Sequence, residues 1–273
     1  MPFSAESPCL PLRYQGRPWI DSHCHFDFEI FDPDRDGHWQ LLQQWGCAGL
    51  VIPGIGVKQW SKLVSVCKQK PWFYALGLHP YFLAEQGDND MVALETCLGQ
   101  QQQSSQLVAV GGFGLDFALP VQSHAQQVWQ CEQQLRLAQR FKLPIILHVR
   151  KAYDEICAIV RRMGFDQGGI VHAFSGSYQQ AQALLALGFK LGIGGALSHN
   201  RANKLRHTVS RLHLQDCERF VEWFIAEAKA RNAETCIFLG DWSHHRASIN
   251  VATMNATIRD LKKLNDAFEK VYF

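Results

Sequence analysis

Short apolar runs alternate along the chain with longer stretches in which apolar residues recur at helical spacing. The runs fall at residues 19–20, 48–52, 73–78, 107–110, 144–147, 169–171, 189–193 and 236–239, each short enough for a buried strand. Between them, Val128, Leu135 and Phe141 recur through a Gln-rich segment, and Ile156, Ile159 and Val160 share one helical face. Strand and helix in alternation predict parallel strands joined by crossovers, because tight hairpins cannot join parallel neighbours. Eight such units over about 220 to 250 residues predict an α/β chain built as a (β/α)8 TIM barrel rather than an open doubly wound sheet. No GxGxxG follows the first run, so the phosphate loop of a dinucleotide fold is missing. The run QQQQSSQ at 100–106 reads as a solvated loop.

At 47% apolar and 19% charged over 273 residues, the chain can bury a sizeable core, which excludes disorder as its main state. No run approaches the roughly 18 apolar residues of a membrane-spanning helix. Pro2, Ser4, Glu6 and Pro8 stand where a signal peptide needs an apolar core. Nine cysteines without a CxxC pair predict reduced thiols rather than a disulfide framework. Together these predict a cytoplasmic protein that stays off membranes. A formal charge of +2 neither announces nor excludes nucleic acid.

Twelve histidines change the picture, because several end apolar runs where a core position calls for an aliphatic residue. In a parallel barrel, side chains at the C-terminal strand ends converge on one face. His23 and His25 follow the first run, His79 the third, His148 and Arg150 the fifth, and His172 the sixth. The two-residue period of an extended chain sends His23 and His25 to one side and Cys24 to the other. Paired imidazoles chelate transition metals, and His148 and His172 at matching strand ends extend the set. An ion held there lowers the pKa of bound water and polarises a carbonyl or phosphoryl oxygen. Arg150, two residues beyond His148, shares its side and can clamp a phosphate or carboxylate through two hydrogen bonds.

IDSHCHFD, ALGLHP, VGGFGLD, LPIILHVR, VHAFSGS and GFKLGIGG, in this order, resemble the TatD family of metal-dependent deoxyribonucleases, in particular its YjjV-like bacterial members. The resemblance covers about residues 18–215. It implies an amidohydrolase-type TIM barrel with one or two divalent ions, Mg2+ or Mn2+ with Zn2+ as an alternative, and a nuclease activity. Carried over by position, it implies His23 and His25 as ligands of a first metal. His148 and His172 are implied as ligands of a second metal or a bridge towards substrate, and His79 and Arg150 as phosphate contacts. Asp116 is implied to be structural.

Two departures from the family pattern bear on activity. The pattern at 110–116 reads VGEFGLD or VGEIGLD, its glutamate bridging both metals, whereas this chain has Gly112. Two adjacent cations then lack the negative charge that offsets their repulsion, and Gly112→Glu is the natural test of rescue. The pattern also offers a strand ending in ETDAP, whose aspartate is a metal ligand and general base. Its place near 220–222 holds Phe220, Val221 and Glu222, inside a predicted amphipathic helix with Phe220, Phe224, Ile225 and Ala228 on one face. Glu222 is expected to be a surface charge.

From about Arg219 the chain resembles a fragment of a calcineurin-like metallophosphoesterase, with a strand ending in Gly240 and Asp241. The domain division is expected to be a hydrolase barrel over 1–216 and an atypical segment over 217–273. One expectation is that 235–240 supplies the eighth barrel strand and delivers Asp241 as metal ligand and general base. The rival is a tail packed outside a seven-stranded barrel, with Asp241 idle. The leading functional expectation is a monomeric, metal-dependent deoxyribonuclease acting exonucleolytically on single strands or ends of DNA, weakened by Gly112 and by the loss of the ETD motif. The alternatives are a catalytically dead metal-binding barrel and a one-metal amidohydrolase acting on a small ester or amide.

Overall fold

The structure is a computed structural model that describes residues 18–237, apart from 69, 88 and 200, together with residues 251–272. It opens with strand β1 (Trp19–Asp21), followed by α1 (Arg35–Gln44), β2 (Cys47–Pro53), α2 (Val57–Cys67), β3 (Trp72–Leu76) and α3 (Asp90–Gln101). Next come β4 (Leu107–Asp116), α4 (His124–Phe141), β5 (Ile145–Arg150), α5 (Tyr153–Arg162), β6 (Gly169–His172), α6 (Tyr178–Ala186) and β7 (Phe189–Leu191). The seven strands form one parallel sheet in sequential order, the order of a (β/α)8 barrel.

Burial follows the chemistry of a sheet covered on both faces. Leu50, Ile52, Leu76, Val110, Leu115, Ile145, Leu147 and Val171 are each fully buried. α5 shows why these helices form: Ile156, Cys157, Ile159 and Val160 point inward, Asp154 and Glu155 open the helix, and Arg161 and Arg162 close it. Those charges oppose the helix dipole at each end. α6 is stopped at its start by a reciprocal cap in which Ser177 and Gln180 satisfy each other's backbone N–H groups.

Two expectations are corrected. The eighth run enters as β8 (Thr235–Ile237) but pairs in parallel with β9 (Lys270–Tyr272), making a two-stranded sheet separate from the seven. The described part of 235–240 therefore does not close the barrel. Asp241, with Gly240, lies outside the described residues. The 100–106 run is also more than a solvated loop: the Gln106 side chain lies within hydrogen-bond reach of the carbonyls of Cys67, Lys70 and Trp72, at 2.6, 3.1 and 2.9 Å.

The chain divides into two compact units, Met1–Ser198 and His199–Phe273. Residue 216, the end of the expected first domain, falls inside α7 (Asn203–Ala230). The second unit packs α7 against α8 (Val251–Ala267) around Cys236, Leu264 and Phe268, with Val221, Ile225 and Ala228 contributed by α7. The apolar face of α7 is thus rotated from the expected one, leaving Phe220 60% exposed. Glu222 is a surface charge, paired with Lys263 at 2.7 Å. Among the described residues no helix is long and apolar enough to cross a membrane, and the described cysteines are all free.

Candidate metal centre

The register of the sheet builds this site. His148 of β5 stands directly opposite His172 of β6, so their side chains leave the same face side by side. His148 Nδ1 and His172 Nε2 lie 3.1 Å apart. Beyond β1 the chain bends at Ser22 and His23, where the His23 N–H donates to Asp21 Oδ1 at 3.0 Å, while the Cys24 N–H bonds the Val51 carbonyl of β2. The His23 ring stacks on His172 at 3.7 Å between centroids and meets His25 edge-on at 5.1 Å. His79, after β3, lies 4.4 Å from His148 by the same measure. All five predicted histidines are therefore drawn into one cluster. Arg150 is at its rim, its side chain 63% exposed and Nη1 4.0 Å from Asp116 Oδ2.

Three of these imidazoles, His79, His148 and His172, each offer a nitrogen within 4.8 Å of the others. Two nitrogens bound to one ion at about 2.1 Å stand about 3.0 Å apart at right angles and about 3.4 Å apart at the tetrahedral angle. The His148–His172 spacing of 3.1 Å falls between these values. Among the described residues His23 Nδ1 and His25 Nδ1 are buried without hydrogen-bond partners, the kind of atom a cation satisfies. The residues present fit a divalent ion bound by imidazole.

Burial, with the neighbouring imidazoles adding to it, pushes His23 down to about 2, His79 to about 2 and His172 to about 3. Burial lowers His25 and His148 too, although Asp27 and Asp116 respectively oppose it. Lone pairs rather than protons are what such rings offer at neutral pH. Nearby Asp27 is raised by its own burial, against the hydrogen bond from Gln59.

A bridging carboxylate does not fit. Gly112 is the extra residue of a bulge: Gly111 pairs with Ile146 and Phe113 with Leu147, leaving 112 between them. Its φ of +80° is left-handed, and a Cβ there would lie 1.9 Å from the Gly54 carbonyl oxygen. That carbonyl is held in place, since the N–H of the same peptide, on Ile55, donates to Gln59 Oε1 at 2.7 Å.

Three residues matter here that the sequence pattern did not single out for the site. Asp116, 2% exposed, accepts from His148 Nε2 at 3.1 Å, so it orients the ring and leaves Nδ1 free to ligate. The apolar run read from the sequence stops at 110 while β4 continues to Asp116, so its place in the GLD motif was the available signal. Gln127 and Gln134 on α4 are buried and clamp the backbones of Asp116 and Leu78, each accepting from the N–H and donating to the C=O. Glutamine reads as a surface residue, so nothing in the pattern marked them.

The TatD related DNase family model matches residues 20–217. The chain belongs to this family. It is 35% identical over 197 residues to the metal-dependent hydrolase YjjV of Escherichia coli (strain K12), covering 72% of this chain and 75% of that one. It is 30% identical over 175 residues to the 3'-5' ssDNA/RNA exonuclease TatD of Erwinia billingiae, covering 63% of this chain and 65% of the relative. The crystal structure of the Escherichia coli YjjV protein superposes with a TM-score of 0.66 over 70% of this chain and 73% of that one, at 35% identity. A TatD-family hydrolase from Entamoeba histolytica shares the fold, with a TM-score of 0.58 over 65% of each chain at 19% identity. Family membership makes the cluster the candidate centre of a metal-dependent hydrolase.

Proposed function

We propose that the chain hydrolyses phosphodiester bonds of DNA, at single strands or ends, with a divalent ion held by the imidazole cluster. The observation that carries this reading is the convergence of His148 Nδ1 and His172 Nε2 at 3.1 Å on neighbouring strands, with Asp116 behind the first. An ion bound there supplies Lewis acidity and lowers the pKa of its water. Arg150 is proposed to clamp the phosphate, and its exposed fork of N–H groups supports that role. Relatives named as 3'-5' ssDNA/RNA exonucleases support the choice of substrate. His23 and His25 enter the proposal as further ligands; Asp241 is assigned nothing.

Gly112 favours a second reading, a barrel that binds metal without turnover. The deciding experiment is cleavage of an end-labelled single-stranded oligonucleotide with Mg2+, Mn2+ or Zn2+, run beside His148→Ala and His172→Ala. Metal-dependent cleavage that both variants lose supports the hydrolase. Metal binding by calorimetry without cleavage supports the second reading and ends the first.

A further inference from the structure

Beside the imidazole cluster, the loop after β1 exposes an aromatic ring that the core does not use. Phe26 goes inward at 2% exposure, whereas Phe28 is 39% exposed and Ile30 79%. We propose that Phe28 is a stacking platform for the nucleobase next to the scissile phosphate. The inference rests on the chain being a phosphodiesterase of nucleic acid, and it adds the subsite that takes the base.

The Phe28 ring lies on the His25 ring, 4.8 Å between centroids and 22° from parallel. Phe28 thus gives part of its surface to a member of the cluster, and it also lines a groove of about 650 Å³. That volume falls within the roughly 300–1,000 Å³ of small-molecule sites. Ile30 and Ile55 add apolar walls, and Lys58 and Lys62 enter from the start of α2. The carboxylates of Asp27 and Glu29 border the same groove, so its formal charge is balanced. A run of phosphates finds no attracting field there. A flat, uncharged ring with a polar edge suits it better, because its faces bury against apolar walls while its edge stays among polar groups. Lys62 is engaged by Asp32 at 2.8 Å, but among the described residues Lys58 forms no ion pair and is open to that edge. The contact between Phe28 and His25 makes the groove continuous with the cluster. A base stacked on Phe28 therefore hangs from the sugar beside a phosphate at the imidazoles.

The platform is fixed before any strand arrives. Arg35 Nε donates to the Phe26 carbonyl at 2.9 Å, and its Nη2 reaches those of Asp27 and Phe28, both at 3.3 Å. The same guanidinium pairs with Asp32, and the Phe28 N–H donates to the His25 carbonyl at 3.3 Å. Stacking on a ring held this way costs little ordering of the protein. An aromatic face accepts any base, so the subsite selects for an unstacked base and not for a sequence. Single strands offer such bases, and the interior of a duplex does not.

The test reads binding by the full chain loaded with Zn2+, using single-stranded oligonucleotides whose phosphorothioate linkages resist cleavage. Separate strands carry 5-iodouracil, which photocrosslinks to a stacked aromatic ring, at the 3' or the 5' end. One of the two is expected to crosslink to the peptide containing Phe28. Phe28→Leu, or an abasic residue in place of that base, is expected to weaken binding about 5- to 150-fold by fluorescence anisotropy. Combined, the two changes should cost no more than either alone, because each removes the same contact. Phe28→Tyr keeps the affinity for the strand, and Phe28→Leu keeps the affinity for zinc by calorimetry. Crosslinks elsewhere from both strands, additive losses, or zinc affinity lost with the ring would each overturn the proposal. So would a blunt duplex bound as tightly as the single strand, or a dimer that Phe28→Leu dissociates in sedimentation, which would give the ring to a second copy of the chain. If the unmodified strand is not cleaved, the functional reading fails by itself, and the crosslinks and affinities still decide the platform.

Discussion

The His148 ring donates from Nε2 to Asp116 Oδ2 at 3.1 Å, and that carboxylate is almost wholly buried. This bond fixes which nitrogen of His148 faces the metal centre. Asp116→Ala is expected to lower metal affinity by about 10–100-fold without unfolding the chain. Isothermal titration with Zn2+ measures it, and an unchanged affinity would show that the carboxylate is only structural.

Position 112 is closed to side chains. Gly112→Ala is expected to cost roughly 2–6 kcal/mol, combining left-handed strain with overpacking against the Gly54 carbonyl. Gly112→Glu meets the same obstacle, so it should fail to restore a second metal. Urea denaturation of both variants checks the cost; wild-type stability in Gly112→Glu would mean that the bulge can relax.

Gln134 supports His79 from behind. Gln134→Leu strips Leu78 of partners for a buried N–H and C=O, at about 1–3 kcal/mol for each group left unsatisfied. The midpoint of thermal unfolding is the readout. A shift within error would mean that water replaces the amide.

The histidine cluster makes stability depend on pH in a stated direction. Unfolded imidazoles take up a proton near the ordinary value of 6.5, whereas folded His23, His79 and His172 do so only near 2 to 3. Between those limits the unfolded chain binds more protons, so stability is complete above 6.5 and is lost as pH falls through this window. Asp27, raised when folded, acts with the opposite sign at the lower edge. Urea midpoints of the metal-free chain should therefore fall between about pH 7 and pH 5. Midpoints that hold steady across that range would contradict rings kept neutral by burial.

Arg150 is exposed enough to meet a substrate, and its guanidinium reaches the buried Asp116 carboxylate only at 4.0 Å. Arg150→Lys is expected to raise KM and lower turnover on an oligonucleotide roughly tenfold or more, since a lysine offers a point charge in place of a fork. Zinc affinity should not change. Equal kinetics for the two side chains would remove Arg150 from phosphate recognition.

The alternation of apolar runs was enough to place seven barrel strands, because a parallel strand buried on both faces leaves a continuous apolar signature. The histidines at the run ends were legible for the same reason: a polar residue closing such a run has few structural uses. The eighth run carried the same signature and paired elsewhere, since an apolar run records burial and not its partner. On α7 the expected face of Phe220, Phe224, Ile225 and Ala228 held for Ile225 and Ala228, but Val221 joined them and Phe220 stayed outside. What pattern could not show were the contacts that cross the fold: the clamps from Gln127 and Gln134, and the carboxylate behind His148.

The peptide between Gly54 and Ile55 has a consequence for how this chain can change. Its N–H is tied to Gln59, and Gln59 in turn donates to Asp27 at 2.6 Å, so the carbonyl cannot turn away from position 112 unless that polar relay is rewired. Tolerance at 112 is therefore epistatic. A mutational scan of single sites should find every replacement of Gly112 deleterious whatever its charge. A carboxylate becomes accessible only in backgrounds already altered around 54–59, which makes the order of substitutions, and not the chemistry of the ligand, the barrier to a second cation.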